Sequence, residues 1–351
     1  MIRLEEAYAK KTKSKGLIIL FISLVTIILG IVSLNRGAAK ISFIEVFRAL
    51  FISGEDIPNI VIWNIRLPRI LAGIIAGAGL ALAGTIMQTC LGNPLASPST
   101  LGISSAAAFG ANIAIVFFNA GFIRNSSEAI LINNPYIVTL SAFAFSLLAM
   151  LSILSIAKFR RFSKEAIILA GVAFSSLFSA GSTLIQYFAE DFQIAAMVFW
   201  TFGDLGRVSW EEVGILSLLS IIILVYFLMK RWDFNALDSG EDTATALGVD
   251  VDRIRFVSIL FASLLTAVVV SFMGIIGFIG LISPQIMRRV IGVDHRFLIP
   301  AATVTGSFML LLSDILARTV ISPIVLPVGA ITSFFGAPLF LFLLIKGEAK
   351  R

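Results

Sequence analysis

Residues 66–102 read RLPRILAGIIAGAGLALAGTIMQTCLGNPLASPSTLG, and this stretch decides the fold class of the chain. Two arginines flank a proline, a long apolar run follows, and an Asn-Pro-Leu turn closes it. Between Leu67 and Leu91 the only charge is Arg69, and a helix of that length crosses a hydrocarbon layer about 30 Å thick. Gly73, Gly77, Ala81 and Thr85 recur every four residues, leaving one face small enough for another helix backbone to approach. A single-span anchor has no use for such a stripe. The spacing predicts a helix packed inside a polytopic bundle.

The composition agrees. Of 351 residues, 58% are hydrophobic and 14% charged, against about a quarter charged in soluble domains. The net charge of +6 does not signal nucleic-acid binding, because the cations fall in short clusters between apolar runs. One cysteine, Cys90, excludes an intrachain disulfide and a Cys-rich metal site. One histidine, His295, leaves no His cluster for zinc or haem and reads as plain loop chemistry. The apolar run Leu17 to Leu34 follows a lysine cluster, as a signal peptide would. It exceeds an h-region of about 7–15 residues, however, and Gly37-Ala38-Ala39 is a poor cleavage cue, so a retained first span is expected.

Ten apolar segments are long enough, or nearly so, to span: 17–35, 68–90, 100–118, 137–157, 166–188, 213–229, 255–273, 276–291, 298–317 and 328–346. The pair 255–273 and 276–291 is one stretch divided because Gly274, Gly277, Gly280 and Pro284 interrupt it. Backbone broken at that depth must lie against protein or water. Ten spans put both termini on one side. Placing them in the cytoplasm puts 19 of the 27 Lys and Arg inside, and leaves outside Arg36, Lys40, Arg48, Arg66, Arg69, Arg124, Arg207 and Arg318. That asymmetry obeys the positive-inside rule. The expectation is one all-α transmembrane domain over residues 1–351, with a cytoplasmic tail at 1–16, a cytoplasmic loop at 230–255 and no soluble domain attached. The outer segment 189–212, with Trp200 and Trp210 around Gly203 and Gly206, suits a short helix at the headgroup level. Asn125-Ser126-Ser127 has sequon spacing, which carries no weight alone.

Charges inside a bilayer cost about 2.5–3.5 kcal/mol each and mark function. The middles of the ten segments hold none. Asp314 comes nearest, four residues before Arg318, so the two can pair along one helix face. A proton-coupled carrier would bury a carboxylate or histidine, and a redox or hydrolytic enzyme would need ligands or a nucleophile system. What remains is a non-enzymatic conduit driven from elsewhere. The chain has no G-x-x-x-x-G-K-[ST] loop of its own. It does have an inner segment, 236–249, suited to receive a partner. Ser239 with Asp242 reads as a helix start and Gly248 as its stop, a helix of about two turns. Leu237, Ala244 and Leu247 beside acidic residues suit a docking knob, although a solvated loop has the same composition.

Four groups of motifs give the chain a resemblance to the permease subunits of ABC importers for iron-siderophores, haem and cobalamin, from about Ile60 to Ile345. They are the opening stretch at 66–102; LAGVAFSSLFSA at 169–180 with WTFGDLGRVSW at 200–210; SGEDTATALGVDVDRIR at 239–255; and GIIGFIGLISPQIMRRVIGVDHRFLIPA at 274–301 with LLLSDILARTV at 310–320 and LPVGAITSFFGAPLFLFLL at 326–344. The resemblance implies ten spans per subunit, both ends cytoplasmic, and a multi-pass protein of the cell membrane. It also implies a homodimer, or a pair of homologous chains, around a central pathway. Two cytoplasmic ATPase subunits would carry ATP and Mg, and an external substrate-binding protein would deliver cargo. By the same resemblance Gly240, Glu241, Ala244, Leu247 and Gly248 form the ATPase-coupling contact, and Arg66, Arg69 and Arg318 accept acidic residues of the binding protein. Snorkelling at a span's first turn is the plain alternative for Arg66 and Arg69. Asn93, Pro94 and Leu95 match the inner gate, where Pro94 would stop a helix and leave the Asn93 amide free to line an opening. Ser175, Ser176, Ser179 and Thr183 either line the pathway or pack helices.

Two departures stand out: Gln285 replaces a histidine usual in the family, and Lys164-Glu165 replace small polar residues at the inner mouth of some relatives. The expected mechanism is alternating access driven by partner ATPases. Ferric siderophore is the default cargo, and haem or cobalamin fits equally. An ion- or proton-coupled secondary carrier is the rival class, and a structural scaffold the weaker one.

Overall fold

A computed structural model describes residues 2–37, 41–52, 54, 56–118, 120–123, 130–132, 134–160 and 162–348. Lys40, Arg124, the Asn125 sequon, Arg161, Lys350 and Arg351 lie outside the described residues. In chain order the helices are α1 (Ile2–Asn35), α2 (Phe43–Phe51), α3 (Ile57–Val61), α4 (Leu67–Leu91), α5 (Ile103–Phe117), α6 (Pro135–Phe159), α7 (Lys164–Phe188), α8 (Asp191–Thr201), α9 (Trp210–Met229), α10 (Arg231–Asp238), α11 (Glu241–Ala246), α12 (Val251–Met273), α13 (Ile279–Val290), α14 (His295–Thr319) and α15 (Val328–Glu348). A π-helical turn, Ile62–Arg66, joins α3 to α4, and two three-residue strands, Gly121–Ile123 and Ile130–Ile132, form the one small antiparallel hairpin among the described residues.

A helix occupies each of the ten apolar segments. Seven are long and apolar enough to cross a membrane: Lys11–Asn35 of α1, Ile57–Leu91, α6, α7, α9, α12 and α14. At 15 and 12 residues α5 and α13 fall short, as does the apolar part of α15, Val328–Leu343. Length and composition therefore support seven crossings where ten were expected.

α4 is the axis of the bundle. Of its most apolar stretch 78% is buried, against 28% for α7 and α9. It packs against α14, α12 and α13, and the small-residue stripe is the reason. Gly77 and Ala81 meet Gly306 of α14, and Gly84 meets the Gly280 carbonyl of α13. Thr85 turns its hydroxyl onto the Ala81 carbonyl at 2.7 Å, so the stripe stays apolar outwards.

The long apolar stretch does break at Gly274, whose φ of +78° ends α12. Gly280 and Pro284, read as interruptions, instead lie inside α13. The break is buried and sealed by protein, so its backbone groups find partners within the chain. Asp204 N–H donates to the Met273 carbonyl at 2.8 Å, Val328 N–H to Gly203 at 3.3 Å and Gly329 N–H to Phe202 at 3.1 Å. The same junction corrects the reading of 189–212. α8 inserts Trp200, 2% exposed, among Ala107, Ala111, Met197 and Val270, so this indole is core and not a headgroup anchor. Trp210 stays exposed, and its indole N–H donates to the Trp63 carbonyl at 2.8 Å.

Candidate functional site

The charged side chains gather at the two ends of the bundle. At one end lie Lys15, Lys164, Arg255, Arg288 and Arg296; at the other lie Arg36, Arg66, Arg69, Arg207 and Arg318. These are the two groups into which the sequence divided them.

At the first end α4 stops where Gly92 takes a left-handed φ of +55°, a conformation glycine adopts without penalty. The Asn93-Pro94-Leu95 turn follows. Asn93 Oδ1 accepts the Leu95 N–H at 2.9 Å, so its carbonyl oxygen closes the turn instead of lining an opening. Gln285 donates from Nε2 to the Pro94 carbonyl at 3.1 Å and to Gln88 Oε1 at 2.9 Å. The departure at position 285 thus places a non-titrating donor on the turn, and Leu95 is left exposed beside it.

α11, six residues long, is shorter than expected. Gly240, at φ +115°, is its N-cap. The Ser239 hydroxyl donates back to Asn235 at 3.2 Å, which finishes α10 and replaces the start signal read from Ser239 and Asp242. Gly248, at φ +84°, ends the element as expected. Leu237 and Ala244 are buried with Phe227, Phe234 and Ile254. Of the three apolar residues in the supposed knob only Leu247 faces out, 70% exposed.

Glu241, at the start of α11, holds two cations from distant elements: Lys164 Nζ at 2.6 Å and Arg255 Nη2 at 2.8 Å. The Lys164 hydrogen bond, reinforced by Arg255, keeps its carboxyl below the usual range. Arg255 is buried and spends its other donors on two carbonyls, Cys90 at 3.0 Å and Phe162 at 2.9 Å. Lys164, a departure from the family pattern, is thus the direct partner of the expected coupling residue. Glu165 beside it is exposed.

His295 is not loop chemistry: it is fully buried at the start of α14. Its partners fix the direction of a hydrogen-bond chain. Asn235 Nδ2 donates to Asp294 at 3.2 Å, so Asn235 Oδ1 is the acceptor for the His295 N–H at 2.8 Å and for Nδ1 at 3.1 Å. Nε2 then accepts from the Thr89 hydroxyl at 2.9 Å, and Thr89 Oγ1 accepts from Arg288 at 2.8 Å. Asp238 lies 3.6 Å from Arg288 and 3.7 Å from His295. Burial raises its carboxyl, and Arg288 opposes the rise. Next to the histidine, hydrogen bonds from Arg296 bring Asp294 down to about 2.

At the opposite end the three candidate docking arginines point inwards. Arg69 Nε donates to Asp314 Oδ1 at 2.8 Å, Arg318 Nε to Asp314 Oδ2 at 2.9 Å, and Asp204 lies 3.4 Å from Arg69. The helix-face pair of Asp314 and Arg318 forms as its spacing indicated. Arg318 also reaches the Arg36 carbonyl at 2.7 Å, and Arg66 bonds the Leu34 carbonyl. Both cations cap the end of α1, where the helix dipole favours them. These guanidinium groups are engaged within the chain, while Arg36 and Arg48 are exposed at that end.

Of the candidate lining residues, Ser175 turns into the bundle, 3.0 Å from Ser105. Ser176, Ser179 and Thr183 lie on the exposed face of α7 with Leu169, Val172, Leu184 and Tyr187.

A buried helical axis, a broken helix sealed by protein and charge gathered at the ends define a multi-pass membrane protein. The chain belongs to the FecCD transport family, which it matches over residues 25–346. It is 54% identical over 340 residues to a candidate ABC transporter permease of Methanocaldococcus jannaschii, covering 97% of this chain and 96% of that one. It is 35% identical over 332 residues to the hemin transport system permease of Yersinia pestis, covering 94% and 96%. A solved structure described as an inward-facing conformation of a candidate metal-chelate type ABC transporter superposes with a TM-score of 0.81 at 31% identity, covering 94% of this chain and 99% of that one.

Proposed function

We propose that the chain is the membrane-spanning subunit of an ATP-driven importer for a metal chelate, with ferric siderophore as the first cargo class and haem or cobalamin as the others. Two copies of the chain would face each other across the exposed face of α7, whose small and hydroxylated residues suit a pathway for a bulky solute. Two cytoplasmic ATPase subunits, holding ATP and Mg, would grip α11, and an external binding protein would dock at the end carrying Arg36 and Arg48. Arg66, Arg69 and Arg318 would support that surface from beneath. Both termini would lie in the cytoplasm of a cell-membrane protein with ten helical passes.

The observation that carries this reading is the placement of α11. It is solvent-facing except at Ala244, it presents Leu247, and it is tied through Glu241 and Arg255 to the Cys90 carbonyl in the last turn of α4. Closure of the ATPases on nucleotide would push α11, and the bundle would exchange an inner opening for an outer one. The permease names of the relatives support the ATP-driven class, and the hemin and metal-chelate titles support the cargo. Leu247→Asp tests it. The variant is expected to insert normally but to bind the ATPase at least about 30-fold more weakly, the effect of losing an interface hot spot. Unchanged co-purification of the ATPase contradicts the assignment.

A further inference from the structure

We propose that the last turn of α4 is a receiver held by two clamps, through which movement of α10 and α11 reaches the Asn93-Pro94-Leu95 turn. The inference rests on the reading above, that a partner ATPase pushes α11. One clamp is Glu241 with Arg255, closing on the Cys90 carbonyl. The other is Asp238 with Arg288 and His295, closing on Thr89. Thr89 and Cys90 are adjacent, four and three residues ahead of Asn93, with only Leu91 and Gly92 between them and the turn.

The geometry favours transmission over simple capping. A cation on the Cys90 carbonyl would by itself be an ordinary C-terminal cap of α4. Arg255 does more: its planar fork joins α4, the α6–α7 connection at Phe162 and α11 through one rigid group. Phe162 itself sits at φ +52°, unfavourable for a residue with a side chain, so this connection is held in place by its surroundings. Glu241 also pulls on Lys164, the first residue of α7, so a shift of α11 bears on the pathway helix as well. In the second clamp Arg288, Thr89, His295 and Asn235 are joined in an unbroken series of hydrogen bonds. Asn235 and Asp238 both belong to α10, which cannot move without drawing on Thr89 or breaking the chain.

These are positioning residues, so the test must read more than stability. The chain carrying Leu95→Cys is assembled with its ATPase in nanodiscs, and labelling by a soluble maleimide is timed with and without ATP and vanadate. The native thiol, Cys90, is fully buried and gives no background. Nucleotide is expected to change the labelling rate by about fivefold or more, the lower range of allosteric coupling. Adding Thr89→Val, which no partner can reach, is expected to leave ATPase binding and hydrolysis in place while the response falls below about twofold. Arg255→Lys, at a buried position, keeps the charge opposite Glu241 but loses the fork onto the Cys90 and Phe162 carbonyls, and is expected to do the same. Asp238→Asn repeats the test if Thr89→Val assembles poorly. A full nucleotide response in Thr89→Val and Asp238→Asn overturns the linkage while leaving the transporter reading intact. Failure of the Leu95→Cys chain itself to bind the ATPase overturns that reading, and the linkage with it.

Discussion

Asp314→Asn is expected to cost about 3–5 kcal/mol of stability, the penalty for stripping a buried charge of its partner. The carboxylate is inaccessible to solvent and divides its oxygens between two guanidinium groups, Oδ1 to Arg69 and Oδ2 to Arg318. Asparagine keeps one acceptor and turns an NH2 towards the other arginine. Two desolvated cations would then face each other with Asp204, at 3.4 Å from Arg69, as the one other carboxylate among the described residues that pairs with either of them. Adding Arg318→Gln should recover part of the loss, because it removes the repulsion along with the attraction. A double-mutant cycle read by thermal melting in detergent should therefore be non-additive by about 1 kcal/mol or more. An unchanged melt in Asp314→Asn would show that the carbonyls ending α1 neutralise the arginines unaided.

Gly84→Ala should be comparably severe, at or above the upper end, about 3 kcal/mol, of an overpacked core. The reason begins with Pro284. Its missing N–H leaves the Gly280 carbonyl without a helical donor, and its ring presses that carbonyl away from the α13 axis. Gly84 on α4 is where the displaced oxygen comes to rest, so a β-carbon there would fall on the Gly280 carbonyl group. Backbone cannot yield as a side-chain tip can, and α4 would have to part from α13. Gly214 on α9 is the internal control. Nothing lies within 4 Å of a β-carbon placed there, so Gly214→Ala should be neutral or stabilising by up to about 1 kcal/mol. Equal melting of the two variants would refute the packing argument.

The bundle was legible in the sequence wherever the signal is local. Apolar run length gave the ten helices, the four-residue recurrence of small side chains gave the α4 contact face, and glycine marked the break at 274. Asp314 and Arg318 share a helix face and could be paired on spacing alone. Arg69, 245 residues from Asp314 along the chain, could not. Nor could Lys164 and Arg255 be assigned to Glu241, because no periodicity encodes which loop ends meet. Lys164 looked like a flaw in the family pattern for the same reason. His295 was misread because a histidine between helices is usually solvated; its burial follows from the closeness of α10 and α4. The helix start at 239 failed differently. Ser239 had the right chemistry for a cap, but a preceding helix, α10, claimed it first.

The backbone junction around Gly274 bears on how the protein is made. Its hydrogen bonds join residues 202–204, 273 and 328–329, and the ribosome delivers those segments far apart in time. Until α15 emerges, the Phe202 and Gly203 carbonyls lack the Gly329 and Val328 amides, and a buried backbone group left unpaired costs about 1–3 kcal/mol. The nascent bundle therefore has to keep that corner wet, or sheltered by the insertion machinery, and its final helix acts as a keystone that allows the water to leave.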